Sequence, residues 1–176
     1  MSKYFQKIYF DPYLFFSIFL LSILGLFFLF SASNADVSMV SKQLIFIIAG
    51  FIMMILISQP DPDIFSRMSL LFLLLSIMLL GITYLFGPEI NGAQRWVRVG
   101  SFSFQSSELL KLALPLFLAN FLHGKKLPIQ RKEIFFSLVI IFCCFFLVFR
   151  QPDLGTAVIV ALSGLFVLFL SGLSWS

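Results

Sequence analysis

MSLLFLLLSIMLLGITYLF, residues 68–86, runs nineteen positions without a charged side chain. A helix needs about 20 predominantly apolar residues, at about 1.5 Å each, to cross the hydrocarbon of a bilayer. A soluble helix interrupts such a run with charge on its wet face, and a buried strand is much shorter. This run is apolar on every face, so the solvent it fits is lipid. No water is there to hydrogen-bond its peptide groups, and the backbone must satisfy them within the segment, as a helix does.

Five more stretches read the same way: residues 13–31, 43–58, 106–122, 134–149 and 154–173, of which 106–122 is the most polar at its start. Of all 176 residues, 60% are hydrophobic, 25 are Phe and only 11% are charged. A soluble domain carries about 25% charged residues and leaves much of its chain at the surface, so water does not suit this chain as a solvent. The expected fold class is all-α, a polytopic transmembrane helix bundle with six spans. Lys3 and Lys7 before the first run, and Ser33-Asn34-Ala35 after it, also fit a cleaved signal peptide. The apolar run between them is too long for a signal, and five more spans follow, so it reads as a span.

The net charge of +4 is spread over the connections without a dense basic block. That distribution argues for membrane orientation and against nucleic-acid binding. With the N-terminus inside, the cytoplasmic side receives Lys3, Lys7, Arg67, Lys125, Lys126, Arg131 and Lys132, while the outer side receives Lys42, Arg95, Arg98 and Arg150. Seven against four favours a cytoplasmic N-terminus, with Lys111 inside the fourth span. The inner connections are ordinary. Gln59-Pro60-Asp61-Pro62-Asp63 is a proline turn, Gly124 suits a helix stop, and His123 reads as a solvated helix end. Cys143 and Cys144 are adjacent, ill placed for an unstrained disulfide and without zinc-ligand spacing, so they read as packing residues.

Two polar clusters fall on the outer side. In the first, Asn91-Gly92 signals a turn, and Arg95, Trp96 and Arg98 suit a membrane interface, where guanidinium groups meet phosphate. Ser106 and Ser107 offer a hydroxyl cap to the fourth span, and Glu108 lies in its first turn, one helical step from Lys111. In the second, Arg150-Gln151-Pro152-Asp153-Leu154-Gly155-Thr156, Pro152 ends one helix and Asp153 can cap the next. Gly155 and Thr156 would permit close helix approach. Each cluster has two readings. The arginines anchor the protein to lipid and Asp153 is a helix cap, or Asp153 stands at a cavity mouth facing Arg95 or Arg98.

Asn91-Gly92-Ala93-Gln94-Arg95-Trp96, Phe104-Gln105-Ser106-Ser107-Glu108-Leu109-Leu110-Lys111 and Gln151-Pro152-Asp153-Leu154-Gly155-Thr156 together resemble the SEDS family (shape, elongation, division and sporulation). Ser31-Ala32-Ser33 fits as well, and residues 161–175 are most similar to the rod-shape branch rather than the division branch. The resemblance covers the whole chain, with Ser106 standing where the family usually has proline. It implies a peptidoglycan glycosyltransferase of the bacterial cytoplasmic (inner) membrane. Such an enzyme polymerises lipid II, an undecaprenyl-pyrophosphate-linked disaccharide pentapeptide, into glycan strands during lateral cell-wall elongation. Its implied partner is a class B penicillin-binding protein, the cross-linking transpeptidase.

On this resemblance Arg95, Trp96, Arg98, Gln105, Ser107, Glu108, Lys111, Asp153 and Thr156 are the candidate substrate-binding or cavity residues. Arginines match phosphate oxygens, and a carboxylate in a partly desolvated cleft can take the proton of a sugar hydroxyl. The family has about ten spans of about 20 residues each. Its catalytic aspartate lies on a later outer loop, so no residue up to Ser176 inherits that role, and these 176 residues alone are expected to be an inactive fragment. No cofactor or metal-ligand signature stands out; the residues neither require nor exclude a divalent cation. A lipid-linked precursor flippase is the alternative, although the span centres hold almost no ionisable residues beyond Glu108 and Lys111. A non-catalytic scaffold for the transpeptidase's single span is another.

Overall fold

A computed structural model of the chain describes residues 11–89, 94–99, 102–125 and 129–172. The expected turn at Asn91-Gly92, the side chains of Lys3, Lys7 and Lys126, and the stretch from 173 onward lie outside these residues. The chain forms two compact units, divided between Asp61 and Pro62.

The first unit is a helical hairpin of α1 (Pro12–Ala32) and α2 (Val37–Ser58). Asp11 starts α1 by accepting from the amides of Tyr13 (2.9 Å) and Leu14 (3.2 Å), with Pro12 in the first helical position, where its missing N–H costs nothing. Asn34 and Ala35, at φ 53° and 64°, reverse the chain. Asp36 then caps α2 through the amides of Ser38 (2.8 Å) and Met39 (3.3 Å). This cap starts the helix ahead of the apolar run at residue 43, and Lys42 falls within it. Phe51 meets Phe15 and Phe19 edge-on, at 5.2 and 6.2 Å between centroids. Neither helix buries a residue, as befits helices solvated by lipid.

The second unit packs α3 (Pro62–Phe86), α4 (Ser106–Leu122), α5 (Arg131–Phe149) and α6 (Leu154–Leu170). Its α4 is central, touching the other three helices. Leu110, Ala113, Leu114 and Leu118 of α4 recur at helical spacing and are wholly buried. The facing stripe of α3 is Ser69, Leu73, Ser76, Leu80 and Thr83, alternating steps of four and three residues. Small hydroxyl residues in such a seam let two backbones approach. The hydroxyls of Ser76 and Thr83 satisfy themselves on the carbonyls of Phe72 and Leu79, each at 2.7 Å.

Ser69 instead accepts from the Asn120 amide at 3.0 Å, while Ser66 donates to the Asn120 carbonyl at 2.6 Å. This network ties the start of α3 to the end of α4. Interhelical hydrogen bonds in membrane proteins average about 0.6 kcal/mol, with a maximum near 1.7. Asn120→Leu is therefore expected to lower the detergent unfolding midpoint slightly, by about 1 kcal/mol, leaving the bundle folded. A drop several times larger would show that the network organises the whole interface.

Among the described residues four helices, α1, α2, α3 and α5, are long and apolar enough to cross a membrane, while α4 and α6 have 17 residues each. The start of α4 is set by an element that the apolar pattern did not announce. Residues β1 (Trp96–Val99) and β2 (Phe102–Gln105) form an antiparallel hairpin that runs directly into α4. Helices dominate, so the all-α membrane bundle stands, with this two-stranded addition. At the other end of α4, Gly124 adopts φ +71° and stops the helix, a conformation glycine takes without steric cost.

Candidate functional site

The hairpin register pairs Trp96 with Gln105 and Arg98 with Ser103, so these four side chains share one face. Val97 and Phe104 occupy the other. From the Trp96 face, the Gln105 amide reaches the α5–α6 turn and donates to Asp153 Oδ2 at 2.9 Å. The other oxygen of Asp153 accepts the Thr156 amide at 3.1 Å, capping α6. Asp153 is thus both a helix cap and the acceptor of a strap from the hairpin.

Arg95 lies just ahead of β1 and is half-buried. Its Nε donates to the carbonyl of Gln151 at 2.9 Å and its Nη2 to the carbonyl of Pro152. Arg95 and Asp153 therefore meet at the same turn, but the arginine grips main-chain carbonyls rather than the carboxylate. Its planar fork, with donors at fixed spacing, suits two successive carbonyls. Arg98 is exposed and has no hydrogen-bond or ionic partner among the described residues. Arg150, also exposed, lies 5.9 Å from the Phe146 ring centroid.

Glu108 and Lys111 pair at 2.7 Å across one helical step of α4. Pro115 follows one turn later and removes the amide that would bond the Lys111 carbonyl. Two expectations need correction. Ser106 and Ser107 do not cap α4: Gln105 is the cap residue, it makes no side-chain cap bond, and both serine hydroxyls are buried without a partner among the described residues. The strand β2 carries the chain straight into the helix, leaving Gln105 extended at ψ 118° and its amide turned toward Asp153. Gly155 is likewise not a point of close approach, since a Cβ there would meet nothing within 4 Å; that role falls to Gly164.

Sequence reasoning also left Gln151 out of the candidate set. Its side chain is only 2% exposed and donates from Nε2 to the Leu80 carbonyl of α3 at 3.1 Å. The signal available was a carboxamide at a span boundary. Its partner is a backbone carbonyl 71 positions away, which no side-chain pattern reports.

A bundle of long apolar helices, with a polar knot of hairpin and turn at one end, defines a multi-pass membrane protein. Residues 12–176 match the family model of FtsW, RodA and SpoVE, described as cell cycle proteins, and the chain belongs to that family. It is 38% identical over 174 residues to the peptidoglycan glycosyltransferase MrdB of Escherichia coli K12, covering 99% of this chain and 47% of that protein. It is 32% identical to the peptidoglycan glycosyltransferase RodA of Treponema pallidum, covering 93% of this chain and 39% of the relative. The crystal structure of the rod shape determining protein RodA of Thermus thermophilus superposes with a TM-score of 0.87 at 28% identity, over 96% of this chain and 56% of the other. A chain from a peptidoglycan synthase complex that coordinates polymerization and crosslinking also superposes with TM-score 0.87, at 28% identity and over 50% of its length. The chain thus spans about half the length of the relatives it matches.

Proposed function

We propose that this chain is the N-terminal part of a SEDS transmembrane domain. There it forms the headgroup-level wall of a peptidoglycan glycosyltransferase that polymerises lipid II during cell-wall elongation. The charge count supports a cytoplasmic N-terminus with the hairpin on the outer side, where a lipid-linked sugar is polymerised. The single observation that carries the reading is the hairpin strapped to the α5–α6 turn by Arg95 and Gln105, with the Arg98 side chain exposed near Trp96 and without a partner among the described residues.

The chemistry follows from which groups are spent and which are not. Arg95 is committed to carbonyls, so the exposed guanidinium of Arg98 is the better match for the pyrophosphate of the substrate. Trp96, on the same face, suits the interface where a headgroup meets its tail. The exposed apolar faces of the helices offer the tail a lipid-like wall. Asp153 has both oxygens engaged, so it holds the turn, and on the family resemblance the base that takes the sugar hydroxyl's proton is an aspartate of a later outer loop. A class B penicillin-binding protein is the expected partner, in keeping with the likeness to a chain of a synthase complex.

The test is glycan polymerisation from labelled lipid II by the full-length protein with its transpeptidase. A charged hydrogen bond is worth about 1.5–3 kcal/mol, so Arg98→Ala is expected to lower kcat/KM about tenfold to a hundredfold with an unchanged unfolding midpoint. A native rate in Arg98→Ala would remove the phosphate role. Failure of the unmodified protein to polymerise, with lipid II instead changing leaflets in proteoliposomes, would favour a flippase.

A further inference from the structure

We propose that Gln151 is a positioning residue: its buried amide aims the carbonyls that hold Arg95, and so fixes hairpin β1–β2 at the end of the bundle. The consequence for polymerisation rests on the function proposed above; the consequence for the hairpin does not.

The geometry is that of a pin. Gln151 sits in the four-residue connection between Phe149 and Leu154, where Pro152 has no N–H to give. Its side chain runs inward and donates to the Leu80 carbonyl at 3.1 Å. Its own carbonyl accepts from Arg95 Nε at 2.9 Å, and the next carbonyl, that of Pro152, accepts from Nη2. Its amide N–H goes back to Val148 at 3.0 Å. One residue therefore bonds to α3 through its side chain, to α5 through its N–H and to the hairpin through its carbonyl.

Burial alone does not call for a carboxamide here. A methionine of similar length would fill the same space without the cost of desolvating a polar group. What the amide adds is direction, because a buried donor must point at its acceptor, and this one is tied to Leu80. With the side chain held, rotation of the turn is blocked and both carbonyls face Arg95. Two positions further on, Asp153 is then in place to receive Gln105 at 2.9 Å. The side chain touches no reacting group in this arrangement; it acts through Arg95 and Asp153.

The experiment compares the full-length wild type with Gln151→Met and Gln151→Glu. It reads hydrogen exchange of residues 94–105, the unfolding midpoint, and kcat and KM for lipid II polymerisation. Gln151→Met is expected to keep a near-native midpoint while hairpin amides exchange about tenfold faster, as suits one lost hydrogen bond. Its kcat should fall about tenfold with KM changed less than about twofold. Gln151→Glu places a second acceptor against the Leu80 carbonyl and should be at least as impaired. Native hairpin exchange in both variants would overturn the pin. Faster exchange with native kcat would overturn its importance for the reaction. Exchange rising equally throughout α3–α6 would also overturn the proposal, by showing general structural support. If the wild type does not polymerise lipid II, the proposed function fails, and the exchange contrast still decides the pin.

Discussion

Arg95→Lys is expected to be nearly as damaging as Arg95→Ala, although it keeps the charge. The guanidinium gives two parallel bonds to successive carbonyls, those of Gln151 and Pro152. An ammonium is a compact point charge on a flexible stem and can satisfy one of them well. Hydrogen bonds from a charged donor contribute about 1.5–3 kcal/mol each, so losing one arm of the fork in Arg95→Lys should cost up to about 3 kcal/mol, or about a hundredfold in the polymerisation proposed for the full-length protein, and losing both in Arg95→Ala somewhat more. The main effect should fall on kcat, because the interaction sets geometry and does not bind substrate. If Arg95 acted through charge on a lipid phosphate, lysine would recover most of the activity and the loss in alanine would fade with added salt. A lysine variant within about twofold of wild type would therefore return Arg95 to the role its sequence context first suggested.

The contrast between Arg95 and Arg98 shows where sequence reading reaches its limit. Both arginines flank Trp96 in a loop between apolar runs, and nothing local distinguishes them. Their fates differ because Arg95 meets backbone carbonyls of a turn 56 and 57 positions away. Every residue supplies a carbonyl, so the identity of the side chain cannot announce such a partner. Contacts closed within one helical turn were legible: the Glu108–Lys111 pair and the cap that Asp153 places on Thr156 both follow from spacing. The helices were legible because lipid leaves the backbone no alternative. The hairpin carried a signal of its own that the chemistry obscured. Val97-Arg98-Val99 and Phe102-Ser103-Phe104-Gln105 alternate apolar and polar residues, the period of a strand. Ser106 and Ser107 misled in the opposite way, since hydroxyl residues at a helix start suggest caps whether or not the preceding strand leaves room for them.

Gly164→Val should destabilise the protein more than any other single change among the helix glycines of α3 and α6. A Cβ at Gly164 would lie 2.6 Å from Cγ1 and 3.0 Å from Cδ1 of Ile141, and 3.2 Å from Cδ1 of Leu118. These atoms belong to α5 and α4, so α6 uses Gly164 to approach both neighbours at once. Between lipid-solvated helices burial gives little drive to associate, because the tails are as apolar as leucine, and close packing must hold them. Overfilling a packed core costs about 1–3 kcal/mol, and valine adds two further carbons beyond the clashing Cβ. We expect about 3 kcal/mol for Gly164→Val and about 1 kcal/mol for Gly164→Ala, read from denaturant unfolding in detergent. Ile141→Ala combined with Gly164→Ala should recover part of the loss, because the two side chains compete for one space. Gly155→Ala and Gly81→Ala are the controls. Neither added methyl meets an atom within 4 Å, so alanine should be neutral or stabilise its helix by up to about 1 kcal/mol. A Gly164→Val protein as stable as these controls would mean that α6 does not bear on α4 and α5 at this point. The seat of the α5–α6 turn, and with it the hold on Arg95, would then have to rest on the turn's own hydrogen bonds.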